Sequence, residues 1–328
     1  MAATTITDYT VVAKLVEAYL AANFTHRGSL MQSGIIGTIP GADLAYGNTW
    51  SVRGDIQYHT RWQVPTAAVD LTVNAISHFS ETGVIQRPGE ALGFEDLARV
   101  AAGDTNALAR VGGIVADSII YNTEYTFLQK LVPGLFLTGG PFDSDTYMVA
   151  TGSPFDTGGA DVASARKLHG QNGSNLSILL MHSTVYYNAA INTVVTGLDY
   201  NTIQEFNKLG IIYGGMYNGA VVILNDLCYN SAGVYHSYLC RPGALTLGYQ
   251  KDFGTESFRD PLLAGGTDIV KYAAAYCAHV PGASWTGTVP TVIGGVTDAA
   301  MVTGSNWTAR TSITASEIGI VAIETTEA

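Results

Sequence analysis

Charge is what this sequence has least of. Only 13% of its 328 residues are Asp, Glu, Lys or Arg, about half the share in a typical soluble domain, while 47% are apolar. Such a chain has ample material for a core and too little charge to dress a free monomer. Either the fold is unusually compact, or much of its surface lies against other chains, because obligate interfaces resemble a domain core cut in half. Some monomeric β-rich proteins share the property. The charge that is present leans acidic, at net −11 with a pI near 4.9. Specific nucleic-acid binders gather Lys and Arg on one face. Here the densest basic spot is the pair Arg166 and Lys167, which disfavours a sequence-reading DNA or RNA protein.

Cysteine is nearly absent. Cys228, Cys240 and Cys277 are odd in number and form no C-x-x-C, which speaks against a disulfide scaffold and a zinc knuckle. Three buried free thiols in a reducing compartment is the plain reading. The N-terminal segment lacks a basic stretch followed by an unbroken apolar run, and no segment reaches the roughly 18 apolar residues of a membrane span. The expectation is a protein made and kept in a cytoplasm, so the Asn-x-Ser/Thr triplets at Asn23, Asn175 and Asn306 read as chance matches.

Catalytic signatures are missing as well. There is no phosphate-binding G-x-x-x-x-G-K-[ST], no G-x-G-x-x-G after a strand and no H-E-x-x-H, and no G-x-S-x-G elbow. Seven histidines (His26, His59, His78, His169, His182, His236 and His279) are scattered without metal-ligand spacing. The nearest approach to a nucleophile and base is His182 beside Ser183. Neighbouring residues rarely face one substrate, and Ser183 reads better as a helix cap. Asp226, Glu256, Arg259 and Asp260 admit a carboxylate-pair reading, but no aromatic-lined cleft surrounds them, and a salt-bridged rim at a subunit contact is the simpler account. Trp285 reads as a core anchor first and an interface residue second. The sequence thus nominates no catalytic, cofactor-binding or metal-binding residue.

What is present is a sequence of segments. Val11, Val12, Leu15, Val16, Tyr19 and Leu20 form one apolar stripe, predicting an amphipathic helix over 8–22 capped by Asp8. So short a helix is marginal alone in water and needs something to pack on. Residues 23–47 read as an extended arm. From Gly47 to Gly89 aromatic and β-branched residues punctuated by Gly54, Pro65, Gly83 and Pro88 predict a long two-stranded excursion, again in need of a partner surface. LGFEDLARVAAGD reads as a short helix ending at Gly103. Asp104 then opens a long helix that Pro133 should stop, with Gly112 and Gly113 as weak points. Asp161 opens another helix, LSILLMH is an apolar strand, and 183–195 a helix with Ser183 as N-cap. The remainder is strand-like, with a turn after Asn225, and the tail ends in an apolar strand.

In this order the segments resemble the HK97-type major capsid proteins of tailed bacteriophages, in the branch without a fused scaffold. The likeness runs through ALGFEDLARVAAGDTNALARVGGIVADSIIYNTEYTFLQKLVPGLF, LLMHSTVYYNAAINTV, YNGAVVILNDLCYN, YHSYLCRPGALTLGY, FGTESFRD and AHVPGASW, over about residues 30–290. It implies an α+β fold with an N-terminal arm (1–46), an extended β-hairpin loop (47–90), a peripheral domain with a long spine helix (91–134 and 246–304) and an axial domain (135–245 and 305–328). It implies a non-enzymatic icosahedral shell subunit, without cofactors, that encloses double-stranded DNA without reading its sequence. The implied partners are other copies in pentameric and hexameric capsomers, a separate scaffold protein because the arm starts directly at Met1, a portal, and decoration proteins as an optional addition. No membrane is involved. The place is the virion, after assembly in the host bacterial cytoplasm. Some members crosslink through a Lys on the extended loop; no Lys lies between Gly47 and Gly89, so no such crosslink is expected. An encapsulin-like compartment shell is the alternative within the fold. An enzyme or carbohydrate-binding β-protein is the alternative outside it.

Overall fold

A computed structural model describes residues 29–39, 47–55, 78–95, 107–152, 154–155, 160–191, 213–260, 267–289 and 295–326. The helix expected over 8–22 and the cap at Asp104 lie outside these residues.

The chain enters through a short helix, α1 (Ser29–Gln32), and strand β1 (Ile36–Thr38). Strands β2 (Thr49–Asp55) and β3 (His78–Gln86) then pair antiparallel, from Thr49 opposite Val84 to Asp55 opposite His78. This is the base of the expected two-stranded excursion; residues 56–77 lie outside the described set. Strand β4 (Gly89–Glu95) follows. From sequence, its LGFE reads as the start of a helix. The structure corrects this: Leu92, Gly93, Phe94 and Glu95 pair with Val270, Ile269, Asp268 and Thr267. A neighbouring strand offers every second backbone group a partner, and that outweighs a weak local helical preference.

The long helix is present but does not end where expected. An α-helix, α2 (Ala107–Tyr125), runs into a π-helical stretch at Thr126–Leu131 and on into α3 (Val132–Phe136). Together they span roughly 45 Å at 1.5 Å per residue. Pro133 does not stop the helix. In the π stretch Val132 donates to Phe127, five residues back. This resets the ladder and places Pro133 in the first turn of α3, where a missing N–H costs nothing. The stop comes at Leu137, whose backbone is extended.

Next come β5 (Met148–Ala150), α4 (Ala160–Leu168), β6 (Ile178–Met181) and α5 (Ser183–Ile191). Strands β7 (Tyr213–Tyr217) and β8 (Ala220–Leu224) form a hairpin. Its two turn residues, Asn218 and Gly219, both have positive φ (45° and 74°), as a tight hairpin turn demands. Then follow β9 (Asn230–Ser231), β10 (Val234–Cys240), the long pair β11 (Leu245–Asp260) and β12 (Thr267–His279), β13 (Ala283–Trp285), helix α6 (Asp298–Val302), β14 (Trp307–Ala309) and β15 (Ile320–Thr326).

Two large sheets and a small antiparallel pair, β13 with β14, organise these strands. The first has the order β1-β11-β12-β3-β2, with β4 also on β12. The second runs β5-β15-β10-β6-β8-β7, with β9 on β10. The C-terminal strand therefore returns beside β10, antiparallel to it from Val234 opposite Thr326 to Cys240 opposite Ile320. Side chains alternate across a strand, and both central strands bury both faces. On β12, Ala274, Tyr276 and Ala278 join the main core while Ala275 and Cys277 meet Trp50 and Ile85 behind it. On β10, Tyr238 and Cys240 face the main core and Leu239 the opposite one. Phe127, Leu128, Leu131 and Leu135 of the long helix fill the main core between residues of both sheets. Each such buried side chain contributes about 1.5–3 kcal/mol.

Candidate assembly surfaces and buried polar clusters

The structure brings His182, Ser183 and Asp226 together, in an arrangement that caps a helix. The Ser183 backbone N–H donates to Asp226 Oδ1 at 3.0 Å. The Ser183 hydroxyl and that N–H hold the Asp226 carboxyl below its ordinary value. His182 Nδ1 accepts from the Thr184 N–H at 3.1 Å, and its Nε2 lies 3.9 Å from Asp226. A nucleophilic serine needs the histidine between itself and the carboxylate. Here the serine bonds the carboxylate directly, and the histidine has given its lone pair to the backbone. The expected N-cap moves accordingly: Ser183 is the first helical residue, His182 is the cap, and Asp226 supplies a negative charge to the helix N-terminus from another strand.

The remaining candidates are scattered. Strand register sets Glu256 opposite Lys271 and Arg259 opposite Asp268 on the β11/β12 ribbon, with Asp260 opposite Thr267, far along the chain from Asp226. Trp285 is buried in the core, edge-on to Trp307 with ring centroids 4.9 Å apart. All three cysteines are free and buried; burial pushes the Cys277 thiol up to about 12 and raises the other two well above the ordinary thiol value. Arg166, of the basic pair, is spent internally: its Nη2 donates to the Leu176 carbonyl at 3.0 Å, and burial lowers its pKa. Among the described residues no group of three or more His, Cys, Asp or Glu is placed to hold a metal. No helix among them is long and apolar enough to cross a membrane.

Two clusters went unseen in the sequence. The first ties down the base of the β2/β3 excursion. Glu81 on β3 is 3% exposed. It accepts from the Gly282 N–H at 3.1 Å and Arg310 Nη1 at 3.2 Å, and sits 3.2 Å from His279 Nε2 on β12. Burial raises its pKa, but the His279 and Gly282 bonds and the Arg310 charge outweigh that and hold it low. Arg310 also pairs with Glu317 at 3.1 Å and lies over the Phe79 ring. Trp50 of β2 stacks edge-on against His279. Backbone pairing joins β3 to β12 at Gln86 and Ile85 among the described residues. The side-chain bonds of Glu81 reinforce that short pairing. The second cluster centres on Glu124 of α2, buried, which accepts from the Leu30 N–H at 2.7 Å and Asn225 Nδ2 at 3.0 Å. It fastens the entering chain and the turn after β8 to the long helix.

Large apolar side chains are mostly inside. The exceptions among the described residues are Tyr121 on α2, 54% exposed, and Tyr187 on α5, 61% exposed. Tyr121 stacks on Tyr125 at the edge of a cleft of about 620 Å³ between α2 and the turn joining β3 to β4.

No protein-family model matches the sequence, and no curated protein does. Solved structures do. The capsid of Ralstonia phage GP4 aligns over 90% of this chain and 87% of its own, with a TM-score of 0.55 at 8% identity. A chain from Mycobacterium phage Bobi aligns over 92% of both, at TM-score 0.55 and 11% identity. The capsid of cyanophage P-SCSP1u covers 92% and 89%, at TM-score 0.52 and 10% identity. At such identities the likeness is one of fold, and it spans nearly the whole chain. The protein has the α+β fold of HK97-type phage capsid proteins, as its segment order led one to expect.

Proposed function

We propose that this chain is the major capsid protein of a tailed bacteriophage, a non-enzymatic subunit that assembles into the icosahedral shell around a double-stranded DNA genome. The observation that carries the reading is the near-complete fold match to phage capsids, at 87–92% of each chain. The sequence composition supports it, since 13% charge suits a surface covered by neighbours. The hairpin supports it too: the β2/β3 ribbon is joined to the rest of its sheet by only two backbone-paired residues of β3, Gln86 and Ile85, and a two-stranded ribbon is marginal in water by itself. In this reading residues 1–46 are the arm, 47–90 the extended loop, 91–134 with 246–304 the peripheral domain built on the first sheet, and 135–245 with 305–328 the axial domain built on the second. Copies associate as pentamers and hexamers, with a separate scaffold protein and a portal as further partners. Assembly takes place in the bacterial cytoplasm, and the product is the virion. The acidic charge lets the inner wall enclose DNA without gripping it.

Negative-stain electron microscopy of the chain expressed alone, beside size-exclusion chromatography, tests this. Shells, tubes, pentamers or hexamers are the expected products. A monomer stable over a wide concentration range refutes the proposal.

A further inference from the structure

Two Asn-Gly steps occur in the sequence, Asn172-Gly173 and Asn218-Gly219, and the fold treats them differently. Such a step is chemically weak. The glycine nitrogen, once it has lost its proton, attacks the carbonyl carbon of the asparagine side chain and closes a cyclic imide, expelling ammonia. Water then opens the ring at one carbonyl or the other, leaving aspartate or isoaspartate. Glycine permits the attack because no Cβ crowds its nitrogen and its backbone moves freely. For the nitrogen to reach the side chain, the asparagine must turn about ψ, and its own backbone carbonyl swings as it does so.

Asn218 sits at the exposed tip of the β7/β8 hairpin, and the glycine after it is exposed too. Arg166 of α4 holds the group that must move. Its Nη1 donates to the Asn218 carbonyl, while its Nη2 and Nε bond the Leu176 carbonyl. Asn172 is exposed as well, but its glycine is not. Gly173 is buried inside the 3-10 turn Gly170–Asn175, so tightly that a Cβ on it would lie 2.4 Å from the Arg166 carbonyl oxygen. The Asn172 amide is bonded to the His169 carbonyl at 3.1 Å. Turning Asn172 about ψ would pull packed backbone apart. From these observations we infer that Asn218 is a site of spontaneous deamidation in the folded chain, that Asn172 is protected, and that Arg166 sets the rate by restraining the Asn218 carbonyl. The inference goes beyond the shell reading and does not depend on it. Both products alter the hairpin tip. Aspartate adds a negative charge to a chain already at −11, and isoaspartate lengthens the backbone by a methylene in a turn of two residues.

Peptide mapping decides it. The purified full-length chain is incubated in mildly alkaline buffer, folded and in urea, and the Asn172 and Asn218 peptides are followed by chromatography and mass spectrometry. In the folded protein the Asn218 peptide should convert to aspartate and isoaspartate forms while the Asn172 peptide stays intact; in urea both should convert. Arg166→Met should speed conversion at Asn218 about tenfold, the factor that loss of one hydrogen bond from a charged donor corresponds to, with Asn172 in the same sample reporting any general loosening. Should that variant not fold, Arg166→Lys keeps the charge and loses the fork that reaches both carbonyls, and the same acceleration is expected. Equal conversion of the two sites in the folded protein overturns the proposal. So does an Asn218 peptide that stays intact when folded while the urea sample converts, and so does an unchanged Asn218 rate in the folded variant.

Discussion

Lowering the pH should weaken this protein through buried histidines, His169 above all, before Glu81 is affected. His169, 4% exposed at the end of α4, has its pKa pushed down to about 4, first by burial and then by the positive charge of Arg241. In the unfolded chain it titrates near 6.5. Between these values the unfolded chain binds one more proton than the folded one, so stability falls as pH falls. The contribution is complete above about pH 6.5, drains between 6.5 and about 4, and is flat below. At about 1.36 kcal/mol per pH unit that gap comes to roughly 3 kcal/mol, a sizeable part of the 5–15 kcal/mol typical of a domain. His236 is also held low, by burial against the pull of Glu324, so the whole-protein slope has two sources. The variant His169→Asn isolates one. Urea unfolding of the full-length subunit across this window should show a wild-type slope steeper than the variant's by about 1.4 kcal/mol per pH unit. Glu81 acts lower: its folded pKa lies below 4.5, so its stabilisation is present above that value and lost beneath it. A His169 ring resonance that titrates near its ordinary value, or equal slopes in the two proteins, would refute the reasoning.

Other perturbations address other parts of the structure. Adding a methyl at Gly134 puts a Cβ 2.2 Å from the Met301 carbonyl oxygen, a backbone atom that Trp307 Nε1 also holds. Gly134→Ala should cost about 1–3 kcal/mol, and an unchanged melting temperature contradicts the packing described. At the hairpin root, Arg310→Met leaves Glu81 buried with less compensation and should cost about 3–5 kcal/mol. Adding Glu81→Gln to that variant should recover part of the loss in a double-mutant cycle, and strict additivity would show that the two side chains do not interact. The three thiols should resist an aromatic disulfide reagent in the native chain and all react in urea; rapid labelling of the folded protein counts against their burial. Intact-mass spectra of assembled particles should show no covalent oligomers through residues 47–90, which lack lysine up to Gly89.

The parts of this fold that were legible in the sequence are those whose signals are local. An apolar stripe with helical spacing located α2, alternating β-branched and aromatic runs located the β2/β3 ribbon and the C-terminal strand, and the Gly and Asn punctuation located turns. Asn218-Gly219 carries the local signal of a hairpin turn, but the strand before it, YGGMY, is short and holds two glycines, so nothing local marks it as a strand. The errors share one cause. LGFE became a strand because β12 was there to pair with, and Pro133 was carried through the helix because a π turn upstream had already shifted the ladder. Both facts belong to tertiary structure.

The buried polar clusters illustrate the same division more sharply. Glu81 meets His279 across 198 residues and Arg310 across 229, and Glu124 meets Leu30 across 94. No window of sequence contains both partners, and none of these residues has a neighbour that marks it out. Yet they occupy two junctions of the described chain: Glu81 sits on β3, whose backbone pairs with β12 at Ile85 and Gln86, and Glu124 holds the segment that enters at Leu30. Charge buried at such a junction favours one placement of the strand, because any other would leave Glu81 desolvated and unpaired.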